Sequence, residues 1–288
     1  MLTRDLIPQP HIWQLVLEIG TDTLGVVAFS PFEDHALIHS EIPLDPQAAS
    51  PLTALENAVY DNPMLLLDFK HVTVVYDTLR FMAVDRPEPE ADDMALFRQA
   101  YPELPDEASE ILTAEVPAAS ASIVYDIPTA LLGFLRRTFV GMSLTLPVAA
   151  QAQWMAMKYP GRRSGKTLVN VRPRRVDLVI LGDAAPLAMV SHEIREATDA
   201  AYYVMATRQL HQVGESEEIL IAGTPELRSA TSELLRRYVR YVMPAIFPSV
   251  MFRAGKASLS APLEMILAPI AYGSASDARP ATRSEQTN

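Results

Sequence analysis

The sequence predicts a mixed α/β protein made of two similar halves, each a five-stranded mixed sheet flanked by helices. One observation is a repeated order of elements: three short strands, a helix, a strand, a helix, a strand and a helix occur twice along the chain. The other is composition. With 49% hydrophobic and 20% charged residues among 288, the chain is typical of a globular protein of one large or two modest domains.

The two triplets of strands match without a gap when one is shifted by 152 positions. The first triplet runs from Trp13 to Ile42 and the second from Lys166 to Ile194. Both consist of β-branched and aliphatic runs separated by turn residues, which favours antiparallel strands. Positions Leu17, Ile19, Leu24, Val26, Val27, Phe29, Glu41 and Ile42 coincide with Val169, Val171, Val176, Leu178, Val179, Leu181, Glu193 and Ile194. A repeat of this size indicates duplicated domains and not a solenoid.

The later elements of each half also correspond. In the first half we expect a helix from Pro51 to Leu66, a strand from Val72 to Tyr76, a helix from Pro128 to Arg137 and a strand from Met142 to Leu146. In the second half we expect a helix from Glu196 to Gln212, a strand from Ile219 to Ala222, a helix from Pro225 to Val242 and a strand from Val250 to Arg253. A helix closes each half.

These patterns place the first half at residues 1–147, the second at 148–272 and a flexible tail at 273–288. The first half carries an acidic, proline-rich insertion at about 85–119, interpreted as a solvated excursion from the core. Residues 138–157 hold no charge, but period-two alternation and Pro147 predict a strand followed by a helix, not a membrane span.

Charge and composition exclude several classes of function. The net charge of -11 disfavours nucleic acid as a partner, because binding to phosphates requires cationic side chains. The chain has no cysteine, which excludes disulfides and cysteine nucleophiles. The first residues show no secretory signal, so we expect a cytoplasmic protein without a membrane partner.

The duplicated order, with the runs LEIGTDTLGVVAF, ENAVYDNPMLLLDFKHVTVVYD and ILIAGTPELRSATSELLRRYVRYV, resembles the actin-like ATPase superfamily of actin, hexokinases and heat-shock chaperones. The chain is most similar to an uncharacterised bacterial family with that fold and no assigned activity. The same core occurs in ribonuclease-H-like proteins. The resemblance covers nearly the whole sequence and implies two halves that face a cleft.

Members of that superfamily that use ATP need residues that this chain has changed. At the first hairpin turn the resemblance implies Asp-x-Gly-Thr, and Glu18, Gly20 and Thr21 stand there. At the second turn it implies an acid followed by glycines, and here the run is Asn170-Val-Arg-Pro-Arg-Arg175. Proline offers no amide hydrogen, and without glycine the backbone cannot approach a phosphate closely. The adenosine-binding Gly-Gly is reduced to Gly223-Thr224. These six vestigial cleft positions predict weak or absent hydrolysis and no cofactor, and ATP with magnesium stays the alternative.

The second turn carries three arginines, Arg172, Arg174 and Arg175. One interpretation is a solvated turn, and the other is a contact with an anion or a partner where phosphates would otherwise lie. Together with the acidic insertion, the basic turns offer complementary surfaces for self-association. The run Gly161–Thr167 follows a predicted helix and precedes a strand, which is the wrong context for a phosphate-binding P-loop.

No metal site is expected. His35 and His39 lie on a predicted strand, where residues four apart are about 13 Å from each other. Glu18, Glu56 and Asp77 stand where ribonuclease-H-like nucleases keep metal carboxylates, so a metal-dependent nuclease is a less favoured hypothesis. We expect no catalytic residues and a catalytically degenerate actin-like protein that binds an unidentified protein partner or acts as a scaffold. The alternative is an ATP-binding switch or weak ATPase.

Overall fold

The computed structural model describes residues 7–33, 36–102, 108–161, 164–245 and 261–276. Its strands are β1 (Gln14–Ile19), β2 (Thr23–Phe29), β3 (Leu37–Pro43), β4 (His71–Tyr76), β5 (Phe81–Val84), β6 (Ser109–Val116), β7 (Ala121–Pro128), β8 (Ser143–Thr145), β9 (Thr167–Arg172), β10 (Arg175–Leu181), β11 (Pro186–Glu193), β12 (Ile219–Gly223) and β13 (Val242–Pro244). Its helices are α1 (Pro51–Tyr60), α2 (Ala91–Ala100), α3 (Thr129–Thr138), α4 (Pro147–Lys158), α5 (Ala197–Leu210), α6 (Pro225–Leu235) and α7 (Leu263–Ser276).

Two five-stranded mixed sheets confirm the predicted mixed α/β class, whereas duplication of the two halves stays a prediction. The first sheet has the order β3-β2-β1-β4-β8 and the second the order β11-β10-β9-β12-β13. In each sheet, the three strands of its triplet pair antiparallel, and the two later strands are added in parallel. Equivalent positions of the repeat pair in the same way, since Leu17 of β1 lies opposite Val26 of β2 and Val169 of β9 lies opposite Leu178 of β10.

Local signals explain where several helices begin. Ser50 caps α1 by accepting a hydrogen bond from the Thr53 N–H at 3.0 Å, and Pro51 occupies the first turn. Pro225 likewise begins α6. Helix α4 is buried on every side from Pro147 to Ala156, because it packs against α7 and β10. A single apolar core joins side chains of both large sheets, from Leu17 of β1 to Leu181 of β10.

The acidic insertion differs from its prediction. The segment interpreted as a solvated excursion contains α2 and β6, and β6 joins a third sheet of order β5-β7-β6. Phe97 of α2 packs with Val84 and Val124 in a small core of its own. The charged residues of this segment predicted a solvated loop. In α2, however, a single buried aromatic residue is enough to pack the helix against the sheet.

The end of the second half also differs. Helix α6 stops at Leu235, and the predicted last turns of this helix form a turn and the edge strand β13, which pairs parallel with β12. Pro244 disfavours a helical residue before it and lacks an amide hydrogen, which suits an edge strand. The strand predicted at Val250–Arg253 lies outside the described residues, and the first part of the predicted tail is helical, since α7 reaches Ser276.

The uncharged stretch that starts at Thr138 folds as predicted, into β8 followed by α4. Among the described residues, the helices are too short or too polar to cross a membrane. The predicted domain limits at residues 147 and 148 coincide with the start of α4, and they stay a prediction.

Candidate functional site: an ionic cluster between the two large sheets

Arg172, the last residue of β9, joins the two large sheets. Its guanidinium donates from Nη1 to Glu18 Oε1 at 2.8 Å and from Nη2 to Asp177 Oδ2 at 2.9 Å. It also donates to both oxygens of Asp77, at 3.1 and 3.3 Å. Glu18 belongs to β1 and Asp77 follows β4, whereas Asp177 belongs to β10. One side chain of the second sheet therefore holds carboxylates of the first.

The cluster contains more acid than base. Glu264 of α7 lies 3.6 Å from Arg172, and Arg175 forms a second ion pair with Asp77. Four carboxylates thus surround two guanidinium groups. The side chains are removed from water, with 12% of Arg172, 13% of Glu18 and none of Asp177 exposed.

Burial and excess negative charge govern protonation in the cluster. Burial raises the pKa of Glu18 from 4.5 to about 8, the Glu264 carboxylate adds to this rise, and Arg172 opposes it. For Arg172, burial acts against the charged form, but the carboxylates of Asp177, Glu264 and Glu18 outweigh burial and raise its pKa. Burial lowers the pKa of Arg175. At neutral pH the structure therefore favours a proton on Glu18 and keeps Arg172 charged.

Neutral side chains orient the acids of the second half. Asn170, fully buried, donates from Nδ2 to Glu264 at 2.6 Å. Gln151 of α4 donates to Asp177 at 3.1 Å, and the Ser191 hydroxyl donates to the other oxygen of Asp177 at 2.6 Å. These bonds orient the carboxylates of Glu264 and Asp177, so neutral side chains of the same chain position two of the acids around Arg172.

The cleft positions predicted from the resemblance fall into three places. Glu18 and Asn170 belong to the ionic cluster, as described above. Gly20 lies in the turn between β1 and β2, where its N–H donates to Thr23 O at 3.1 Å, and Thr21 in that turn is exposed.

Gly223 and Thr224 lie at the end of β12, against the neighbouring strand β9. Gly223 has φ +121°, and a Cβ there would lie 1.9 Å from the Val171 carbonyl oxygen. The Thr224 N–H donates to the same oxygen at 3.1 Å. Close packing of two strands thus requires this glycine, whatever the cleft contains.

The three arginines of the second turn have different surroundings. Arg172 and Arg175 are engaged by carboxylates of the same chain. Arg174, at φ 64°, is 73% exposed and lies 3.4 Å from the exposed Asp22. Among the three, Arg174 alone presents a largely exposed guanidinium, so contact with an outside anion or partner stays a prediction for it.

The remaining sequence motifs form no recognisable ligand or metal site among the described residues. The run Gly161–Thr167 connects α4 to β9, as expected, and Arg162 and Arg163 lie outside the described residues, as does His35. Glu18 and Asp77 share Arg172, whereas Glu56 of α1 is not among the partners of that guanidinium. Within the described ranges, no three His, Asp or Glu side chains are arranged to hold a metal ion.

Sequence analysis missed two of the four acids, Asp177 and Glu264. Each is a single acid inside an apolar segment, with Val and Leu beside Asp177 and Leu and Met beside Glu264. An acid at such a position must be paired or neutralised when buried, and this signal could have marked both. Their common partner, Arg172, was predicted to lie in a solvated turn or to contact an external anion or partner, and neither interpretation gave it a partner within the chain.

The two five-stranded mixed sheets, joined through the Arg172 cluster, have an actin-like fold. The family model for proteins of unknown function DUF3822 matches residues 8–242, and the chain belongs to this family. No curated protein matches the sequence.

Two of the solved structures that share the fold show the extent of the likeness. One is a protein of Bacteroides thetaiotaomicron with an actin-like ATPase fold and unknown function: identity is 16%, the TM-score is 0.71, and the match covers 85% of this chain and 94% of that one. The other belongs to the PilM-PilN type IV pilus biogenesis complex: identity is 16%, the TM-score is 0.55, and the match covers 92% of this chain and 99% of that one. At these identities the likeness shows the fold alone.

Proposed function

We propose that this chain is a non-hydrolysing actin-like protein that acts as a scaffold or protein-interaction component. The observation that carries the proposal is Arg172. Its guanidinium bonds to Glu18 and Asp77 across the cleft, in the region where the resemblance implies a metal ion and the phosphates of ATP. In this protein the chain itself supplies a cation to those acids.

The donor set does not fit magnesium with a triphosphate. Mg²⁺ is held in proteins by one or two carboxylates, water and substrate phosphates in octahedral geometry. Here Arg172 occupies Glu18 and Asp77 by direct hydrogen bonds. Burial also favours a proton on Glu18 at neutral pH, and a protonated carboxyl is a poor metal ligand.

The backbone of the second turn is equally unsuited to phosphate. Between Asn170 and Arg175 the sequence offers no glycine, and Pro173 has no amide hydrogen. The Asn170 side chain is directed to Glu264. Hydrolysis in ATPases of this superfamily depends on metal and positioned amides, so these changes predict its loss.

The matching strand orders of the two large sheets support the inference that the halves arose by duplication. The likeness to a structure of the PilM-PilN complex supports a protein partner as the kind of ligand to seek. With its cleft held by internal ion pairs, the chain would present a preformed surface that needs no nucleotide.

A thermal-shift titration with ATP and magnesium tests this function. A ligand at a hundredfold its Kd stabilises a folded protein by about 2.7 kcal/mol, which would raise the melting temperature by several degrees. We expect no shift at millimolar ATP for the wild type or for Glu18→Ala. A saturable magnesium-dependent shift in the wild type that is lost in Glu18→Ala would overturn the proposal in favour of the ATP-binding switch.

A further inference from the structure

The second large sheet has an open edge on each side in the described part of the chain. Strand β11 pairs only with β10, and β13 pairs only with β12. Five strands separate these edges by about 19 Å, at roughly 4.8 Å per spacing, and the edges face in opposite directions. Each edge carries large apolar side chains in contact with water, so each is suited to cover by another molecule.

The β13 edge is basic and aromatic. We call Arg237, Tyr238, Arg240, Tyr241 and Met243 the arginine-tyrosine surface. Tyr238 is 58% exposed, Met243 50% and Tyr241 46%, and Arg240 lies 5.4 Å above the Tyr241 ring. Within the described ranges, neither Arg237 nor Arg240 has a carboxylate partner. Tyr, Arg and Met are the residues that protein interfaces favour.

The backbone of this edge offers few hydrogen bonds to an added strand. The Tyr241 carbonyl accepts from Ile219 of β12, so the next carbonyl, that of Val242, faces outward. Arg236 donates to this carbonyl at 3.4 Å, and Pro244 has no N–H to offer. We therefore expect a partner to bind mainly through side chains.

The opposite edge carries a groove with an acidic rim. Between β11 and β5 lies a space of about 460 Å³, which we call the acidic groove; its walls include Met82, Leu96, Leu187 and Met189. Leu96 is 53% exposed and Leu187 38%.

Two acids line the groove, Asp85 in the loop before α2 and Asp93 in the first turn of α2. Close to them in sequence, Glu88, Glu90 and Asp92 are exposed. Arg86 lies among them, 3.9 Å from Asp85 and 3.8 Å from Glu90, and it also holds Asp93. Several negative charges therefore remain for a basic partner.

We propose that the arginine-tyrosine surface of one copy of this chain binds the acidic groove of a second copy. The two surfaces are opposite in charge, and each has an apolar centre for the other to cover. Because they differ and lie on opposite edges, the contact is head-to-tail and leaves one surface open at each end, which produces linear oligomers. The basic second turn, with two arginines inside the protein, plays no part. This contact is independent of what the cleft binds.

Sedimentation velocity of the full chain tests the proposal. We expect larger species to grow with protein concentration at low salt and to dissociate at high salt, because salt screens the charge pairs. Arg237→Glu/Arg240→Glu and Asp85→Lys/Glu88→Lys should each weaken self-association by roughly a hundredfold or more, since like charges then meet. Arg137→Glu/Arg195→Glu, which makes the same charge change at exposed sites elsewhere, should associate like the wild type.

Mixing the two reversed variants separates this contact from nonspecific charge effects. Each variant alone has two surfaces of like charge, but the first keeps the native acidic groove and the second keeps the native arginine-tyrosine surface. The mixture should associate through the two native surfaces, and because the two reversed surfaces are again opposite in charge, alternating longer species are expected as well. A wild type that stays monomeric at every concentration in low salt would overturn the proposal, and so would a mixture that fails to associate while both variants melt like the wild type.

Discussion

Replacement of Arg172 by methionine removes the charge but keeps much of the side-chain length. Four carboxylates would then lose a common partner: Glu18, Asp77 and Asp177 lose hydrogen bonds of 2.8 to 3.3 Å, and Glu264 loses its nearest cation. Breaking a buried ion pair by removing one partner costs about 3–5 kcal/mol, because the charge left behind stays buried. We expect a loss of this size for Arg172→Met at pH 8.

For a chain of this size, each kcal/mol shifts the melting temperature by about 2–4 °C. The melting temperature of Arg172→Met should therefore fall by roughly 10 °C at pH 8. The deficit should be smaller at pH 5.5, because the orphaned carboxylates can take up protons there and lose their repulsion.

Arg174→Met is the matched control, because it changes the same residue type two positions away. Arg174 is 73% exposed and its partner Asp22 is 70% exposed, at 3.4 Å. An exposed pair contributes about 0–1 kcal/mol, so this variant should melt within a few degrees of the wild type. Calorimetry at both pH values measures the difference. If Arg172→Met melts like Arg174→Met at pH 8, the cluster does not stabilise the fold and the argument from Arg172 fails.

Three further substitutions examine other parts of the structure. The pKa of Glu18 is raised from 4.5 to about 8, so its contribution to stability is complete below pH 4.5 and is lost as pH rises through 8. In urea unfolding, the free energy of unfolding of Glu18→Gln should therefore depend less on pH than that of the wild type, by at most about 1.4 kcal/mol per pH unit. Gly223→Ala places a Cβ against the Val171 carbonyl at φ +121° and should cost more than about 2 kcal/mol, whereas Gly161→Ala, with open space around it, should cost under about 0.5 kcal/mol. Arg208, 2% exposed, donates to a threonine hydroxyl and two backbone carbonyls, so denaturant unfolding of Arg208→Met should show a loss of about 2–4 kcal/mol, and a loss below about 1 kcal/mol would contradict that role.

The sequence was most informative where local patterns decide the structure. Strands β1 to β3 and β9 to β11 have buried apolar residues in matching positions, and turn residues mark their ends. The third sheet was missed because its strands are separated in sequence by the acidic loop and α2 and are half-exposed in β6. Phe97 packs against Val84 and Val124, and Ala114, Val116 and Ala119 join the main core, so the three-dimensional packing reveals that this segment is part of the folded protein.

The candidate site was predictable only where local sequence patterns mark a hairpin turn. Glu18 was identified from its place at the first hairpin turn, and Asn170 from the second. Their partners were not, because the bond from Arg172 to Glu18 joins residues 154 positions apart and Glu264 lies on the last helix. A side chain that reaches across a cleft leaves no local pattern. The two sheets must first be placed together before its partners are defined.

An arginine in the cleft also changes how the two sheets are held. In a nucleotide-dependent cleft, the free energy that fixes the two sides comes from the ligand and varies with its concentration. In this chain the cations Arg172 and Arg175 are side chains of the protein itself, so their ion pairs do not depend on the concentration of a ligand. Buried ion pairs add little net stability compared with apolar packing, yet they require one geometry, since any other leaves carboxylates unpaired. The cluster would therefore hold the second sheet in one position relative to the first without a nucleotide, and both edges of that sheet would be presented to a binding partner in that fixed position.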